Sequence, residues 1–364
     1  MTYAGSGVDY GALDPFKRRA QLAGRSTADL IRRLGVTEVE ASRGESAYLI
    51  ETPDSYLAHV EEGLGTKNLV ADAMYRLVPT RSFYDNIAQD TVAMIVNDMI
   101  TLGALPLAVA MHLGAGSSDW FKDERRTEDL VNGWRNACQL ARCAWGGGET
   151  PTLSGIVEAA TVVLAGSAIG IIKPKGRLIR ADMHHGDAIV LFESSGIHAN
   201  GLTLARAIAE RAPNGFLTPL RDGRPYGEAL LDPTHIYVGV IEECLNRGVD
   251  VRYAVNITGH GWRKLMRAPD AFAYVIDRIP TPQPVFEFMQ SVGGIDEREA
   301  YGNLNMGAGF AVYVPEQDVA TVLDIAKAFP FAAFRAGHIE KSATKRVVIE
   351  PKGLEYSAET LAVR

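Results

Sequence analysis

AATVVLAGSAIGIIKPKGRLIRADMHHGDAIVLFESSGIHANGLTLARAIAER, residues 159–211, holds two apolar runs separated by a polar connection. Residues 159–172 and 187–193 are rich in β-branched and small apolar side chains at strand length, so each predicts a buried strand. The intervening KPKGRLIRADMHHG is punctuated by Pro174, Gly176 and Gly186 and has neither helical nor strand periodicity. It is the expected connection between two domains, 1–173 and 174–364. After the second run, a small-residue loop, Ser194-Ser195-Gly196-Ile197-His198-Ala199-Asn200-Gly201, leads into a helical spacing over 202–211. Strand, loop and helix start in this order present free N–H groups and a positive dipole end to an anion.

Outward from that stretch, apolar residues at 92, 95, 96, 99 and 102 predict a helix over 91–103, and a second follows over 127–143. The second half predicts helices at 233–246, 284–292 and 317–328, and strands at 271–277, 308–314 and 346–350. The fold class is therefore α/β (α+β), without the strand–helix–strand rhythm of one doubly wound sheet. The tail 341–364 reads either as an added strand and hairpin or as a partner-binding appendage. At about 150 residues per domain, 364 residues suggest two domains. Hydrophobic content of 47% and charged content of 22% fit a globular chain that buries its core without a disulfide or metal staple.

A net charge of −7 argues against a nucleic-acid partner, since phosphate neutralisation needs a basic surplus. A local nest of N–H groups with one or two cations still suffices for a small phosphorylated ligand. Three cysteines without a CxxC spacing read as reduced thiols, and the N-terminus lacks an apolar signal core, so a cytoplasmic protein is expected. The most apolar stretch, 156–172, is too short to span a bilayer, so no membrane partner is expected. The basic cluster Lys17, Arg18 and Arg19 reads as a solvated helix face.

Four motifs carry the candidate chemistry. In Glu62-Gly63-Leu64-Gly65-Thr66-Lys67 the glycines let backbone approach an anion, and Thr66 and Lys67 can meet phosphate oxygens; a plain tight turn is the competing reading. Asp98, beside Asn97 in the apolar helix with Asp90 upstream, is either a helix-surface charge or, if buried, must be paired, hydrogen-bonded or metal-bound, because a bare buried charge is costly. Magnesium suits such carboxylates. Gly146-Gly147-Gly148-Glu149-Thr150 lets the chain pass close to a ligand while one carboxylate projects, or is a flexible loop. In the loop at 194–201, His198 and Asn200 are placed to hydrogen-bond a ligand or to brace the loop itself.

Taken together, these motifs resemble those of aminoimidazole ribonucleotide synthetase, also called phosphoribosylformylglycinamidine cyclo-ligase. The matching stretches are Ser6-Gly7-Val8-Asp9, 62–67, DTVAMIVNDMITLGALP at 90–106, 147–150, SSGIHANGLTLAR at 194–206, DPTHIYV at 232–238, 257–259 and NMGAG at 305–309, in order over about residues 3–340. The resemblance implies a two-domain synthetase fold whose N-terminal domain forms a dimeric β-barrel with its partner, followed by a C-terminal α/β domain. It implies ATP and Mg2+ near that homodimer interface and a small-molecule phosphoribosyl substrate in the cleft between domains. The implied reaction activates the formyl amide oxygen of formylglycinamidine ribonucleotide by phosphoryl transfer, after which the amidine nitrogen closes the imidazole ring. Phosphoryl transfer asks a protein for positioning and charge more than for covalent chemistry.

On this resemblance Asp90, Asp98, Glu62 and Glu149 are the expected metal ligands. Gly63, Gly65, Thr66, Lys67, Gly147, Gly148, Glu149 and Thr150 contact the nucleotide, and Ser194, Ser195, His198 and Asn200 contact the substrate. His198, Lys67 and Asp98 are the expected catalytic residues, with His198 placing or transferring a proton at an ordinary histidine pKa.

The chain departs from the family pattern at several of these places. Glu62 stands where the family has a shorter acid, and the charged 40–51 stretch, EASRGESAYLIE, stands where a glycine-rich segment cradles phosphate. Ala4, His235 and Gly302-Asn303-Leu304 remove cations, while Asn256 and His260 replace a histidine and a glycine. Arg81, Arg206 and Arg263 are candidate replacements. Two further readings accordingly stand beside the first: a paralogue using ATP on a different substrate, akin to thiamine-phosphate kinase or selenophosphate synthetase, and a catalytically silent homologue.

Overall fold

The computed structural model describes residues 10–361; Ala4, the motif at residues 6–9 and the last three residues of the tail lie outside the described residues. The first half runs α1 (Tyr10–Arg25), β1 (Thr37–Glu38), β2 (Tyr48–Glu51), β3 (Tyr56–Gly63), α2 (Lys67–Leu77), α3 (Tyr84–Met99), β4 (Leu105–Ala115), α4 (Glu124–Leu140), β5 (Ala144–Glu149) and β6 (Val162–Ile172). Its six strands form one sheet in the order β1-β2-β3-β6-β4-β5. Every neighbouring pair is antiparallel except β4 with β5.

The second half follows with β7 (Ala188–Glu193), α5 (Leu202–Ala209), α6 (Tyr226–Leu230), α7 (Val238–Asn246), β8 (Tyr253–Asn256), β9 (Phe272–Ile276), α8 (Pro284–Gly293), α9 (Glu297–Asn303), β10 (Ala308–Val314), α10 (Val319–Ala326), β11 (Ala333–Lys341), β12 (Arg346–Ile349) and β13 (Leu354–Ser357). These seven strands make a second sheet, β13-β12-β9-β11-β7-β10-β8. The tail is thus a hairpin: β13 pairs antiparallel with β12, and β12 runs parallel to β9.

Alternation decides which face of the first sheet is covered. On β3, Tyr56, Ala58 and Val60 point inward and are buried, while Leu57, His59 and Glu61 point outward. The inner face packs on α3, which is buried on nearly every side and crosses α4 closely at Gly133. A Cβ at Gly133 would lie 2.4 Å from the Asp85 carbonyl oxygen, so only glycine permits that crossing. The outer face leaves Leu57, Leu107, Val163 and Ile169 40–54% exposed.

Two expected elements differ. The helix expected over 233–246 begins only at Val238, because backbone groups of residues 234, 235 and 237 are bonded to side chains of α3. The Gly146-Gly147-Gly148 stretch is not a loop but strand β5, paired with β4 across a bulge. A Cβ on Gly148 would sit 2.1 Å from the Met111 carbonyl oxygen, so its glycine is required by strand pairing.

Candidate active site

Between the two sheets lies a cleft of about 360 Å³. Its walls come from both halves of the chain: α1 (Lys17, Arg18), the 44–46 loop, Glu62 at the end of β3, Asp98 on α3, Asn200, the Thr258-Gly259-His260 turn, Lys264 and Arg267. Four cations therefore face three carboxylates, Glu45, Glu62 and Asp98, in a chain whose overall balance is acidic. That local surplus suits an anionic ligand.

The charges on the floor are interlocked. Asn256 Nδ2 donates to Asp98 Oδ1 at 2.7 Å, and Lys264 Nζ donates to Thr258 Oγ1 and, at 3.4 Å, to the Asn256 carbonyl. Burial, reinforced by the Asp98 carboxylate, pushes the Glu62 carboxyl up to about 7. Burial pushes the Lys264 ammonium down to about 8 against the pull of Asp98. Burial and nearby Arg263 and Lys264 hold His260 down to about 3, so its ring is neutral. His260 also adopts φ +68°, the conformation that favours the glycine expected there. The 44–46 loop borders the cleft even though its sequence is charged.

Several expected site residues lie elsewhere, for physical reasons. Asp90, expected as a metal ligand, is fully buried and paired with Lys67 at 2.8 Å, both side chains 0% exposed. Asp90 Oδ1 accepts from the Thr234 N–H at 2.8 Å and from its hydroxyl, while Lys67 Nζ also donates to the Asp232 carbonyl at 2.8 Å. Neither side chain reaches the cleft; together they fasten α2 and α3 to the 232–234 segment. Thr66 makes a similar cross-contact, 3.3 Å from Thr203 Oγ1. Gly63 and Gly65 are exposed at the turn from β3 to α2, outside the cleft lining.

The 194–201 loop is braced internally. Ser195 Oγ donates to the Pro233 carbonyl at 2.6 Å, Ser194 Oγ to Asn305 Oδ1 at 3.1 Å, and Asn305 Nδ2 to the Gly196 carbonyl at 2.9 Å. His198 is buried at φ +60°, and its Nε2 accepts from the Ser195 N–H at 3.2 Å. Burial and the neighbouring His235 hold its pKa well below the ordinary histidine value. The His198 ring braces the loop outside the cleft lining, whereas the expected positioning or proton-transfer role would need it at the cleft. Of this loop, Asn200 lines the cleft.

Gly147, Gly148, Glu149 and Thr150 are likewise not brought to the cleft. Glu62 is in register with Gly166, which pairs with Met111, which pairs with Gly148. Three strand spacings, about 14 Å, therefore separate β3 from β5 within one chain. Among the proposed cations, Arg263 bonds the Gly302 carbonyl and Asn303 Oδ1, Arg81 stacks on Phe83, and Arg206 lines a different cavity. The cations that do face the cleft, Lys264 and Arg267, lie three residues apart on one short turn. That spacing was the available signal, and Lys17 and Arg18 were hidden in a run that reads as surface.

Comparison with known proteins accounts for this layout. Residues 44–172 match the AIR synthase related protein N-terminal domain, and residues 184–350 match the corresponding C-terminal domain. Phosphoribosylformylglycinamidine cyclo-ligase of Methanocaldococcus jannaschii is 34% identical over 295 residues, covering 80% of this chain and 81% of that protein.

The chain belongs to the AIR synthase family.

A second family member, the cyclo-ligase of Methanococcus maripaludis, is 31% identical over 347 residues, with 94% and 93% covered. Solved structures share the AIR synthase fold at lower identity. The HypE-HypF complex superposes with TM-score 0.60 at 17% identity, covering 88% of this chain and 94% of that one. T. maritima PurL complexed with ATP gives 0.53 at 15%, covering 85% and 44%.

Proposed function

We propose that this AIR synthase family member uses ATP to close the imidazole ring of formylglycinamidine ribonucleotide, giving aminoimidazole ribonucleotide, ADP and phosphate, a step of purine biosynthesis carried out in the cytoplasm. The observation that carries the reading is one cleft, walled by both halves of the chain, that holds Glu62 and Asp98 among four cations. Support also comes from curated relatives with this name at 31–34% identity over most of the chain, and from a fold neighbour that holds ATP.

In this reading the γ-phosphoryl group passes to the formyl amide oxygen, the amidine nitrogen attacks that carbon, and phosphate leaves with the oxygen. Lys264 and the α1 cations hold the phosphates, Asn200 orients the substrate amide, and the 44–46 loop and the Thr258-Gly259-His260 turn exclude water. Glu62 and Asp98 fit magnesium by their chemistry: burial and the Asp98 charge raise the cost of ionising Glu62, and a divalent cation would offset it. Among the described residues no group of three or more His, Cys, Asp or Glu converges as a metal cage, which matches an ion sharing its shell with nucleotide phosphates and water. When bound, that ion neutralises phosphate charge. Lys67, Asp90 and His198 act behind the cleft by fixing its walls.

The reading includes a domain division at 173/174 and a homodimer formed through the outer face of the first sheet. Leu57, Leu107, Val163 and Ile169 give that face an apolar surface of the kind a partner sheet covers. Ile169→Lys is expected to leave a folded monomer by light scattering; an unchanged mass would remove the sheet-face dimer.

The deciding test of function is phosphate release from ATP with and without formylglycinamidine ribonucleotide. Strong stimulation is expected. Stimulation by another metabolite alone would identify a paralogue, and absence of both turnover and ATP binding would identify a silent homologue.

A further inference from the structure

Among the described residues lining the cleft, Arg267 is the cation whose guanidinium bonds the 44–46 loop. It follows the short turn Gly261–Met266 that carries Lys264. Its Nη1 donates to Ser46 Oγ at 2.7 Å, its Nη2 to the Gly44 carbonyl at 2.8 Å, and its Nε lies 3.8 Å from Glu45 Oε2. Tyr253 of β8 adds a bond to the same Glu45 oxygen at 3.3 Å. All three residues of the loop are therefore held from the opposite half of the chain, and Gly44, Glu45 and Ser46 all line the cleft.

Glu45 also lines a second cavity, of about 620 Å³, walled mainly by apolar side chains such as Leu49, Tyr56, Leu102 and Ile179. The loop is thus the partition between a polar cleft and an apolar space. From its own half, the Glu45 N–H bonds the Ser42 carbonyl, and Arg43 is tied back to Glu38. Gly44 takes φ +84°, so the bend is set by backbone geometry, but its carbonyl and the Ser46 hydroxyl point to Arg267.

We infer that Arg267 is the positioning residue of the cleft, clamping the 44–46 loop in place as the wall against which an anionic substrate is held. The inference rests on the reading that this cleft is the substrate site. A planar fork bonds two acceptors on the loop at once while its charge faces Glu45, whereas a lysine ammonium on a flexible stem does not hold that fixed pair.

Three variants test it in the full chain: Arg267→Ala, Arg267→Lys and Ser46→Ala, with the Arg267→Ala/Ser46→Ala double. Arg267→Ala is expected to raise KM for ATP or the phosphoribosyl substrate by about 10-fold or more with a smaller change in kcat, the pattern of lost binding. Arg267→Lys should recover part of that loss, and the double variant should be no worse than Arg267→Ala, because the Ser46 contact is already gone once Arg267 is removed. Limited trypsin digestion should cut the Arg43–Gly44 bond faster in Arg267→Ala, by about the same factor, in a protein whose circular dichroism is unchanged. If KM stays at the parent value, or the effects of Ser46→Ala and Arg267→Ala multiply, the clamp is wrong. Should the chain turn over no ATP at all, the digestion alone decides: faster cutting keeps the clamp while the substrate reading falls, and an unchanged rate removes the clamp.

Discussion

Asp90→Asn separates an architectural role for the Lys67–Asp90 pair from a metal-binding one. Both side chains are 0% exposed, and Lys67 Nζ has two partners, Asp90 Oδ2 and the Asp232 carbonyl, each at 2.8 Å. Asparagine is isosteric and keeps an oxygen for the Thr234 N–H and hydroxyl, so those bonds survive. What disappears is the negative charge, leaving an ammonium buried with one neutral acceptor. Breaking one side of a buried pair costs about 3–5 kcal/mol. With an unfolding entropy of about 2.1 cal/mol/K per residue, 4 kcal/mol lowers the melting temperature of a chain this long by about 5 °C.

The assay is thermal and urea unfolding of the parent, Asp90→Asn, and the double variant Lys67→Met/Asp90→Asn, all without metal or nucleotide. The double variant should recover at least half of the loss, since it removes the stranded charge and puts an apolar chain of similar length in its place. The opposite pattern would refute the reasoning. If Asp90→Asn unfolds like the parent but no longer gains stability from magnesium and ATP, then Asp90 is a metal ligand and the pairing is incidental.

Glu62→Gln tests the charge state of the cleft. Its carboxyl sits at about 7 in the folded protein against an ordinary 4.5, so the folded state binds the proton more tightly than the unfolded chain. The parent therefore gains stability as pH falls from 7 towards 4.5. Glu62→Gln should be more stable than the parent at pH 8 by about 1–3 kcal/mol, a gap that closes by pH 4.5; equal stability at both ends of a urea titration series would contradict the burial of that charge. Gly148→Ala drives a Cβ to 2.1 Å from the Met111 carbonyl oxygen, which is backbone and cannot swing away. It should cost about 2–3 kcal/mol and expose the β4–β5 amides to hydrogen exchange, and a loss below about 0.5 kcal/mol would show that β5 is not held against β4 in this register.

The division of labour along α3 shows what a sequence can and cannot carry. Its apolar spacing at 92, 95, 96 and 99 was enough to place a buried helix, and the two strands flanking the polar, Pro- and Gly-punctuated 173–186 connection lie in different sheets. The polar residues of the same helix were harder. Asn86 Nδ2 donates to the Leu231 carbonyl, Gln89 Nε2 to the Thr234 carbonyl and Asn97 Nδ2 to the His235 carbonyl, and Asp90 and Asn97 accept from Thr234 and Tyr237. These side chains satisfy the backbone of an irregular segment more than 130 residues away, which is why 233–237 is not helical. A carboxylate among apolar neighbours must find a counter-ion, but its sequence does not state whether that is a metal or a lysine brought in by the fold. Asp90 and Asp98 sit two turns apart on one helix and met opposite answers. Asp90 faces Lys67 on α2 and is neutralised by the chain, whereas Asp98 shares the cleft with both Glu62, whose carboxyl it helps push up, and Lys264, and accepts from Asn256. Asp98 thus stands in the cleft beside a second acid while Asp90 has its counter-ion inside the chain, and only the folded contacts separate the two.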